Sequence, residues 1–178
     1  MIDRIIGVTK AYTTRVGEGP FPTEDLGPDG DLMVERGVEY GATTGRKRRC
    51  GWFDAVVVRY AARLNSLTEV FLTKLDVLSA FDRIRVCKGY EYDGTIYERF
   101  PPNQTIFHRA VPIYEELPGW QSEIGQARTW SDLPPAARAY VEYLERLVGV
   151  PITQISVGAE ATETVTRLAP ATPRSARA

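Results

Sequence analysis

The chain has 178 residues, enough for a single domain, and its hydrophobic content of 43% is sufficient to bury a core. Its 22 basic and 23 acidic residues give a net charge of -1, which argues against a general nucleic-acid or membrane-surface binder. No apolar stretch approaches the ~18 residues of a membrane span, and the N-terminus lacks the features of a signal peptide. We therefore expect a cytoplasmic protein that contacts neither nucleic acid nor membrane.

The first part of the chain predicts a strand, a loop, a helix and a second strand. Residues 5–17 are rich in β-branched and aromatic side chains and predict a strand, and the Gly- and Pro-rich residues 17–30 predict an irregular loop. Residues 54–67 predict an amphipathic helix capped by Asp54, followed by a short buried strand over 69–72. The apolar stripe of this helix comprises Val56, Val57, Tyr60, Ala61 and Leu64.

The middle of the chain predicts a hairpin and a further strand. Residues 84–100 alternate between apolar and polar side chains around Asp93 and Gly94, a pair typical of a type I′ turn between two strands. Residues 110–117 predict another strand.

The best-marked helix lies within residues 129–149. Ser131 or Asp132 is its candidate cap, prolines occupy its first turn, and Gly149 stands at the position where a helix ends. Its predicted buried stripe comprises Ala137, Tyr140, Val141, Leu144 and Val148. Residues 151–158 predict a strand after it.

Strands and helices alternate along the chain, which predicts an α/β fold with an inserted β-hairpin. The chain opens directly in a strand, and a missing N-terminal region would supply the elements that cover this strand. Residues 169–178 are too poor in apolar side chains to pack, and we expect them to form a disordered tail.

Neither the cysteines nor the histidine predicts a metal site. Cys50 and Cys87 lie far apart without CxxC spacing, which favours free buried thiols. His108 is the only histidine and has no motif around it, so a structural or surface role is the simpler interpretation.

Two strand ends carry polar groups that could contact a purine base. The strand over 69–72 leads to Lys74 and Asp76, at the end where open α/β sheets place their ligands. A carboxylate there could accept both the N1–H and the exocyclic amino group of guanine, while the Lys74 stem lies over the purine. The alternative is an ordinary junction with a surface Lys and Asp, which the short pattern alone favours. Likewise, Ser156 to Gly158 end a strand at a glycine, and an ordinary strand end is the simpler interpretation.

The sequence GATTGRKRRCGW, residues 41–52, contains a run of four basic side chains. Two glycines bracket Ala42, Thr43 and Thr44, and they leave backbone N–H groups and hydroxyls exposed for an anion. In an extended segment Arg46 and Arg48 point one way, and Lys47 and Arg49 point the other. Paired guanidinium groups suit a small anion with more than one charged group. A solvated basic patch is the alternative.

Six stretches, in their order and spacing, resemble the C-terminal part of adenylosuccinate synthetase. The resemblance runs from about residue 3 to 168, and its glycine–arginine loop and VGxGPFPTE block are highly specific. The stretches are KAYTTRVGEGPFPTE, GATTGRKRRCGWFDAVVVRYAARLNSL, LTKLDVL, PIYEELPGW, LPPAARAYVEYLERLVGVPI and ISVGAEATETV. The resemblance implies that residues 1–168 form the C-terminal part of a P-loop-NTPase-like mixed sheet with flanking helices and an inserted hairpin.

The resemblance also implies a reaction. In this family GTP, with Mg²⁺, phosphorylates the 6-oxygen of IMP, and the amino group of L-aspartate then displaces that phosphate to give adenylosuccinate on the route to AMP. The family works as a homodimer.

Carried over by position, the resemblance assigns three sets of residues. The loop that closes over aspartate would comprise Ala42, Thr43, Thr44, Gly45, Arg46, Lys47 and Arg48. Arg46 and Val16 would contact IMP. The GTP-binding residues would be Arg48, Lys74, Leu75, Asp76, Ser156, Val157 and Gly158. Lys47 stands at a position where the family varies.

The family's catalytic groups are not found in this sequence. There is no GDEGKGK-like glycine-rich phosphate loop, and His108 lies in the wrong region to be the catalytic histidine. We therefore expect no catalytic residue in this fragment, and Mg²⁺ held mainly by an N-terminal half that acts in cis or in trans. The alternative is a stand-alone guanine-nucleotide-binding or interaction module without catalysis.

Overall fold

The computed structural model describes residues 2–167, so residues 168–178, including the predicted tail, lie outside the described part. Strands β1–β10 within it cover Ile6–Lys10, Thr13–Arg15, Arg49–Gly51, Phe53–Asp54, Glu69–Thr73, Arg83–Tyr92, Thr95–Tyr97, Val111–Pro118, Ile152–Ser156 and Thr164–Thr166. Helices α1–α4 within it cover Pro28–Gly37, Ala55–Leu64, Gln104–Arg109 and Pro135–Val148. Short 3₁₀ turns cover Leu75–Ala80 and Trp130–Asp132.

The main sheet has the strand order β1-β5-β9-β10. Its first three strands are parallel, and β10 runs antiparallel to β9. Leu72, Ile152 and Ile155 are at most 1% exposed, so the central strands are buried by apolar side chains. Because β1, β5 and β9 are parallel, their C-terminal ends meet at one edge of the sheet, which we call the carboxyl edge.

Strand β6 organises a second mixed sheet. It pairs parallel with β4 and antiparallel with β7 and β8. Asp93 and Gly94 connect β6 to β7 with φ values of 51° and 73°, the positive values that a type I′ turn requires. Strands β2 and β3 form a separate antiparallel ribbon. The mixed α/β class expected from the sequence is confirmed.

Helix α4 has the predicted apolar face but a different start. All five residues of the predicted stripe are buried, and Gly149 ends the helix with φ 82°. The predicted cap was wrong, because α4 begins at Pro135. Asp132 instead accepts the backbone N–H groups of Arg128 and Thr129 at 3.0 and 2.8 Å and thereby closes the 3₁₀ turn before the helix.

The N-terminal strand and the loop after it differ from the prediction. The predicted strand over 5–17 divides into β1 and β2 because the chain leaves the main sheet at the buried Ala11 and Tyr12. Helix α1 covers Pro28–Gly37. Its first residues lie in the range 17–30, which was predicted to be a loop. A proline in its first turn with Asp29 and Asp31 is the ordinary signal for a helix N-terminus.

Helix α2 buries a different face from the predicted one. Ala55, Val56 and Ala62 are buried, whereas Tyr60 and Leu64 are 38% and 61% exposed. The small alanine side chains allow the helix to lie close to the core, and the Tyr60 ring stacks on Phe100 with centroids 4.7 Å apart. The predicted stripe is therefore wrong at Tyr60 and Leu64.

Asp54 joins α2 to the second sheet, and its loss is expected to destabilise the fold. Its buried carboxylate accepts the N–H groups of Val56 and Val57 at 3.1 and 3.2 Å and the Tyr90 hydroxyl at 2.6 Å. We expect Asp54→Ala to lower the free energy of unfolding by about 2–4 kcal/mol, because it removes a cap and leaves a buried hydroxyl unpaired. Urea unfolding measures this. Asn103→Ala, at the exposed cap of α3, is the control, and an equal loss in both variants would contradict the account.

Candidate functional site

Polar groups from neighbouring strands meet at the carboxyl edge. Lys10 is the last residue of β1, Lys74 directly follows β5, and Ser156 is the last residue of β9. The backbone N–H of Lys74 donates to the Ser156 hydroxyl oxygen at 3.1 Å. Lys74 has φ 60° and ψ 38°, a left-handed conformation uncommon for a residue with a side chain. Two sequence-predicted parts of the guanine site are thus in direct contact.

A buried carboxylate that the sequence did not single out lies beside them. Glu39 is fully buried. Its Oε1 accepts from Lys10 Nζ at 2.7 Å, the Tyr12 hydroxyl at 2.5 Å and Lys74 Nζ at 3.2 Å. Its Oε2 accepts from Arg48 Nη1 at 2.8 Å. We call these five residues the Glu39 cluster.

The Glu39 cluster carries a surplus of positive charge. Burial raises the pKa of Glu39, but hydrogen bonds from Lys10, Tyr12 and Arg48 outweigh burial and bring the pKa down to about 2. The carboxylate is therefore ionised at neutral pH. Three cations against one carboxylate leave the Glu39 cluster itself with two more positive than negative charges, which favours an anionic ligand beside it.

Asp76 presents an unpaired carboxylate oxygen close to this cluster. The residue is half-buried in the 3₁₀ turn after β5, and burial raises its pKa. Within residues 2–167 its buried Oδ1 has no hydrogen-bond partner. Buried polar atoms are nearly always paired, so this oxygen marks a position where a hydrogen-bond donor is missing. The neighbouring Leu75 side chain is fully buried and anchors the turn in the core.

The segment Ser156–Gly158 continues the same edge beyond β9. The Val157 side chain is 1% exposed, and its backbone N–H donates to the Glu163 carbonyl oxygen at 2.9 Å. At Gly158 a β-carbon would meet the carboxylate end of the Glu163 side chain, which would have to move to admit it. The segment is thus held in place next to Lys74.

The basic loop is exposed, and a backbone hydrogen bond joins its two glycines. Residues 42–47 are exposed, and Gly45, at φ 62°, donates its N–H to the Gly41 carbonyl oxygen at 2.8 Å. Lys47 pairs with Asp31. Within the described residues the Arg46 guanidinium has no side-chain partner, so it is free to bind an anion.

Arg49, the last of the four basic residues, has a structural role. Its guanidinium donates to both carboxylate oxygens of Glu24 at 2.7 and 2.5 Å and to the carbonyl oxygens of Gly17 and Gly19. These contacts fix the glycine- and proline-rich segment that follows β2. Val16, at the start of this segment, is 74% exposed.

The remaining candidate residues lie outside the carboxyl edge. Cys50 and Cys87 are free and buried, as expected, and burial raises the pKa of the Cys50 thiol to about 11. His108 is exposed on α3. In the described part of the chain, no three His, Cys, Asp or Glu side chains come together to fit a metal ion such as Mg²⁺. No helix among residues 2–167 is long and apolar enough to cross a membrane.

Known proteins resemble this chain in both sequence and structure. The family model for adenylosuccinate synthetase matches residues 1–165. Adenylosuccinate synthetases of Streptomyces griseus subsp. griseus and Geobacter sulfurreducens are 58% and 55% identical over 164 residues, which are 92% of this chain and 38% of each relative. The fully ligated adenylosuccinate synthetase from Plasmodium falciparum matches with a TM-score of 0.89 and 35% identity, over 94% of this chain and 40% of that one.

The fold is that of a mixed α/β protein with a cluster of cationic side chains at the carboxyl edge of its main sheet. The chain belongs to the adenylosuccinate synthetase family. It spans 38% of the length of the curated relatives that it matches.

Proposed function

We propose that the chain serves the GTP-dependent ligation of IMP and L-aspartate to adenylosuccinate, a cytoplasmic step of AMP biosynthesis. It supplies the guanine-recognition site and the loop that closes over aspartate. A homodimer is the expected assembly. The remaining groups come from an N-terminal portion in cis or in trans.

The unpaired Oδ1 of Asp76 is the observation that carries this proposal. It lies at the carboxyl edge, beside the Lys74–Ser156 contact. Guanine presents two adjacent donors, the N1–H and the exocyclic amino group, and a carboxylate can accept both. Adenine has no such pair of donors. The site therefore selects GTP over ATP, with Leu75 fixing the turn and Ser156, Val157 and Gly158 on the other side of the base.

Lys74 is held in a position that suits a purine. Its Nζ donates to the Gly37 carbonyl oxygen at 2.5 Å and to Glu39 at 3.2 Å, so both ends of the side chain are fixed. Its aliphatic stem can then cover one face of the base while the charged end stays paired. Arg48, anchored on the same carboxylate, lies on the nucleotide side of the loop.

The exposed loop provides donors for a dicarboxylate and for IMP. Thr43 and Thr44 offer hydroxyl and backbone N–H groups, and the free guanidinium of Arg46 can bind a carboxylate through two parallel hydrogen bonds. The aspartate loop comprises Ala42, Thr43, Thr44, Gly45, Arg46, Lys47 and Arg48. Arg46 and the exposed Val16 also contact the IMP ribose.

In the reaction, the γ-phosphate moves from GTP to the 6-oxygen of IMP, and GDP leaves. The aspartate amino group then attacks C6 and expels phosphate. These residues bind and orient the base, the aspartate carboxylates and the loop. Mg²⁺ would supply charge stabilisation of the transferred phosphate, and its ligands belong to the N-terminal portion.

Reconstitution tests the proposed function. The chain is mixed with the part of the Streptomyces griseus synthetase that this chain does not match, and adenylosuccinate formed from GTP, IMP and L-aspartate is measured by chromatography. We expect product from the mixture and none from either polypeptide alone, because the two sets of groups are complementary.

The same samples distinguish the alternative. A chain that binds GDP but never yields product in the mixture would be a stand-alone guanine-nucleotide-binding module. Product from the chain alone would contradict the assignment of the catalytic groups to the N-terminal portion.

A further inference from the structure

Glu39 is contacted by cations from three separate parts of the chain. Lys10 comes from the end of β1, Lys74 from the residue after β5, and Arg48 from the base of the exposed loop. The backbone N–H of Arg48 also donates to the Glu39 carbonyl oxygen at 2.9 Å. A single residue thus joins the loop to the strand ends that carry the base-binding groups.

This arrangement exceeds what a structural ion pair requires. One cation neutralises one buried carboxylate, whereas here two further cations stand close to the first and repel it. The side chains of Lys10, Arg48 and Lys74 remain 24%, 32% and 35% exposed, while the Glu39 side chain is completely buried. The cluster therefore presents its unneutralised charge outward, towards the side from which an anion can enter.

The geometry also determines how far each cation can move. Oε1 is shared by the ammonium groups of Lys10 and Lys74 and the Tyr12 hydroxyl, and Oε2 pairs with Arg48. Without the carboxylate, mutual repulsion would drive these side chains apart and into solvent. With it, the end of Lys74 and the guanidinium of Arg48 keep a fixed separation.

We infer that Glu39 is a positioning residue that holds Arg48 and Lys74 in one geometry for the guanine nucleotide, and so couples the substrate loop to the base site. This inference rests on the proposed function, since both cations are the groups assigned to GTP. It adds a residue that acts through others and does not itself touch the nucleotide.

Calorimetric titration of the whole chain with GDP tests the inference through Glu39→Gln. The amide keeps the shape of the side chain but removes its charge and turns an N–H₂ donor towards cations. We expect GDP affinity to fall by about tenfold, the size of one charged hydrogen bond. The amide would also destabilise a purely structural cluster, so the double-mutant cycle described next distinguishes positioning from stability. Circular dichroism checks that the variant is folded.

A double-mutant cycle with Arg48→Ala measures the coupling between Glu39 and Arg48 in GDP affinity. A purely structural role of Glu39 predicts no such coupling. If Glu39 acts through Arg48, Glu39→Gln should cost less than about threefold in the Arg48→Ala background, because the two losses overlap. Fully additive losses would overturn the inference. An unchanged GDP affinity in folded Glu39→Gln would overturn it as well.

Two further outcomes are informative. If Glu39→Gln fails to fold, Tyr12→Phe replaces it, since it removes one donor to Oε1 and keeps the charge. We then expect a loss of about threefold in GDP affinity, in the range of a neutral-donor hydrogen bond, and no loss would overturn the inference. If the wild-type chain binds no GDP, both the proposed function and the Glu39 inference are contradicted. If the wild-type chain binds GDP and the variants bind it with the same affinity, only the Glu39 inference is contradicted.

Discussion

Asp76→Asn is expected to abolish the preference of this chain for guanine over adenine nucleotides. The carboxylate offers two acceptors to the N1–H and the exocyclic amino group of guanine, and asparagine replaces one of them by a donor. We expect GDP affinity to fall by ten- to a hundredfold, the range of one to two charged hydrogen bonds. ADP affinity should rise, because an amide can donate to adenine N1 and accept from its amino group. Parallel titrations with GDP and ADP measure both changes.

Asp93→Asn is the matched control for that substitution. Asp93 is exposed in the β6–β7 turn at φ 51°, a conformation that asparagine adopts readily. It should leave both affinities unchanged. If Asp76→Asn retained the wild-type ratio of GDP to ADP affinity, Asp76 would not be the base-recognition residue.

Gly51→Ala is expected to cause a large loss of stability. A β-carbon at Gly51 would lie 2.0 Å from the Thr23 carbonyl oxygen and 2.8 Å from the Glu24 Cα. The segment cannot shift without cost, because Thr23 is fully buried and its carbonyl oxygen accepts the Trp52 N–H at 3.1 Å. We expect the free energy of unfolding to fall by about 3 kcal/mol or more, the upper end of overpacking effects. Urea unfolding followed by tryptophan fluorescence measures it.

Gly125→Ala isolates the effect of crowding in that experiment. A β-carbon there meets only the Val157 carbonyl oxygen at 3.6 Å, an ordinary contact. We expect a change within about 0.5 kcal/mol, as at an unconstrained surface position. Equal losses at Gly51 and Gly125 would contradict the close packing of the segment that Arg49 fixes.

Sequence patterns predicted the fold best where the structure of an element depends mainly on its own residues. The apolar stripe and terminal glycine of α4 and the Asp93–Gly94 turn rest on helical spacing and turn chemistry, and the structure has both. The predicted strand over 5–17 is two strands, β1 and β2. The place where it divides depends on a partner distant in sequence, since the Ala11 N–H donates to the Thr73 carbonyl oxygen. The face of α2 likewise depends on partners distant in sequence.

The candidate site could likewise be predicted only in part. Lys74 and Ser156 could be proposed from their strand ends, and the structure places them in contact. Glu39 lies outside any motif, between Val38 and Tyr40, and its four partners stand 9 to 35 residues away. Only the fold brings them together. The one available signal was Lys10, a charged side chain at the end of a largely apolar strand.

Recognition of the guanine edge by Asp76 is the central claim, and a series of three nucleotides tests it most directly. GDP carries both the N1–H and the 2-amino group, and inosine diphosphate carries the N1–H but lacks the 2-amino group. ADP lacks both, because its N1 is an acceptor and its amino group stands at C6. Titration of the wild-type chain should give the affinity order GDP, inosine diphosphate, ADP, with successive losses of about tenfold per hydrogen bond. Equal affinities for the three nucleotides, or no binding of GDP, would contradict the account.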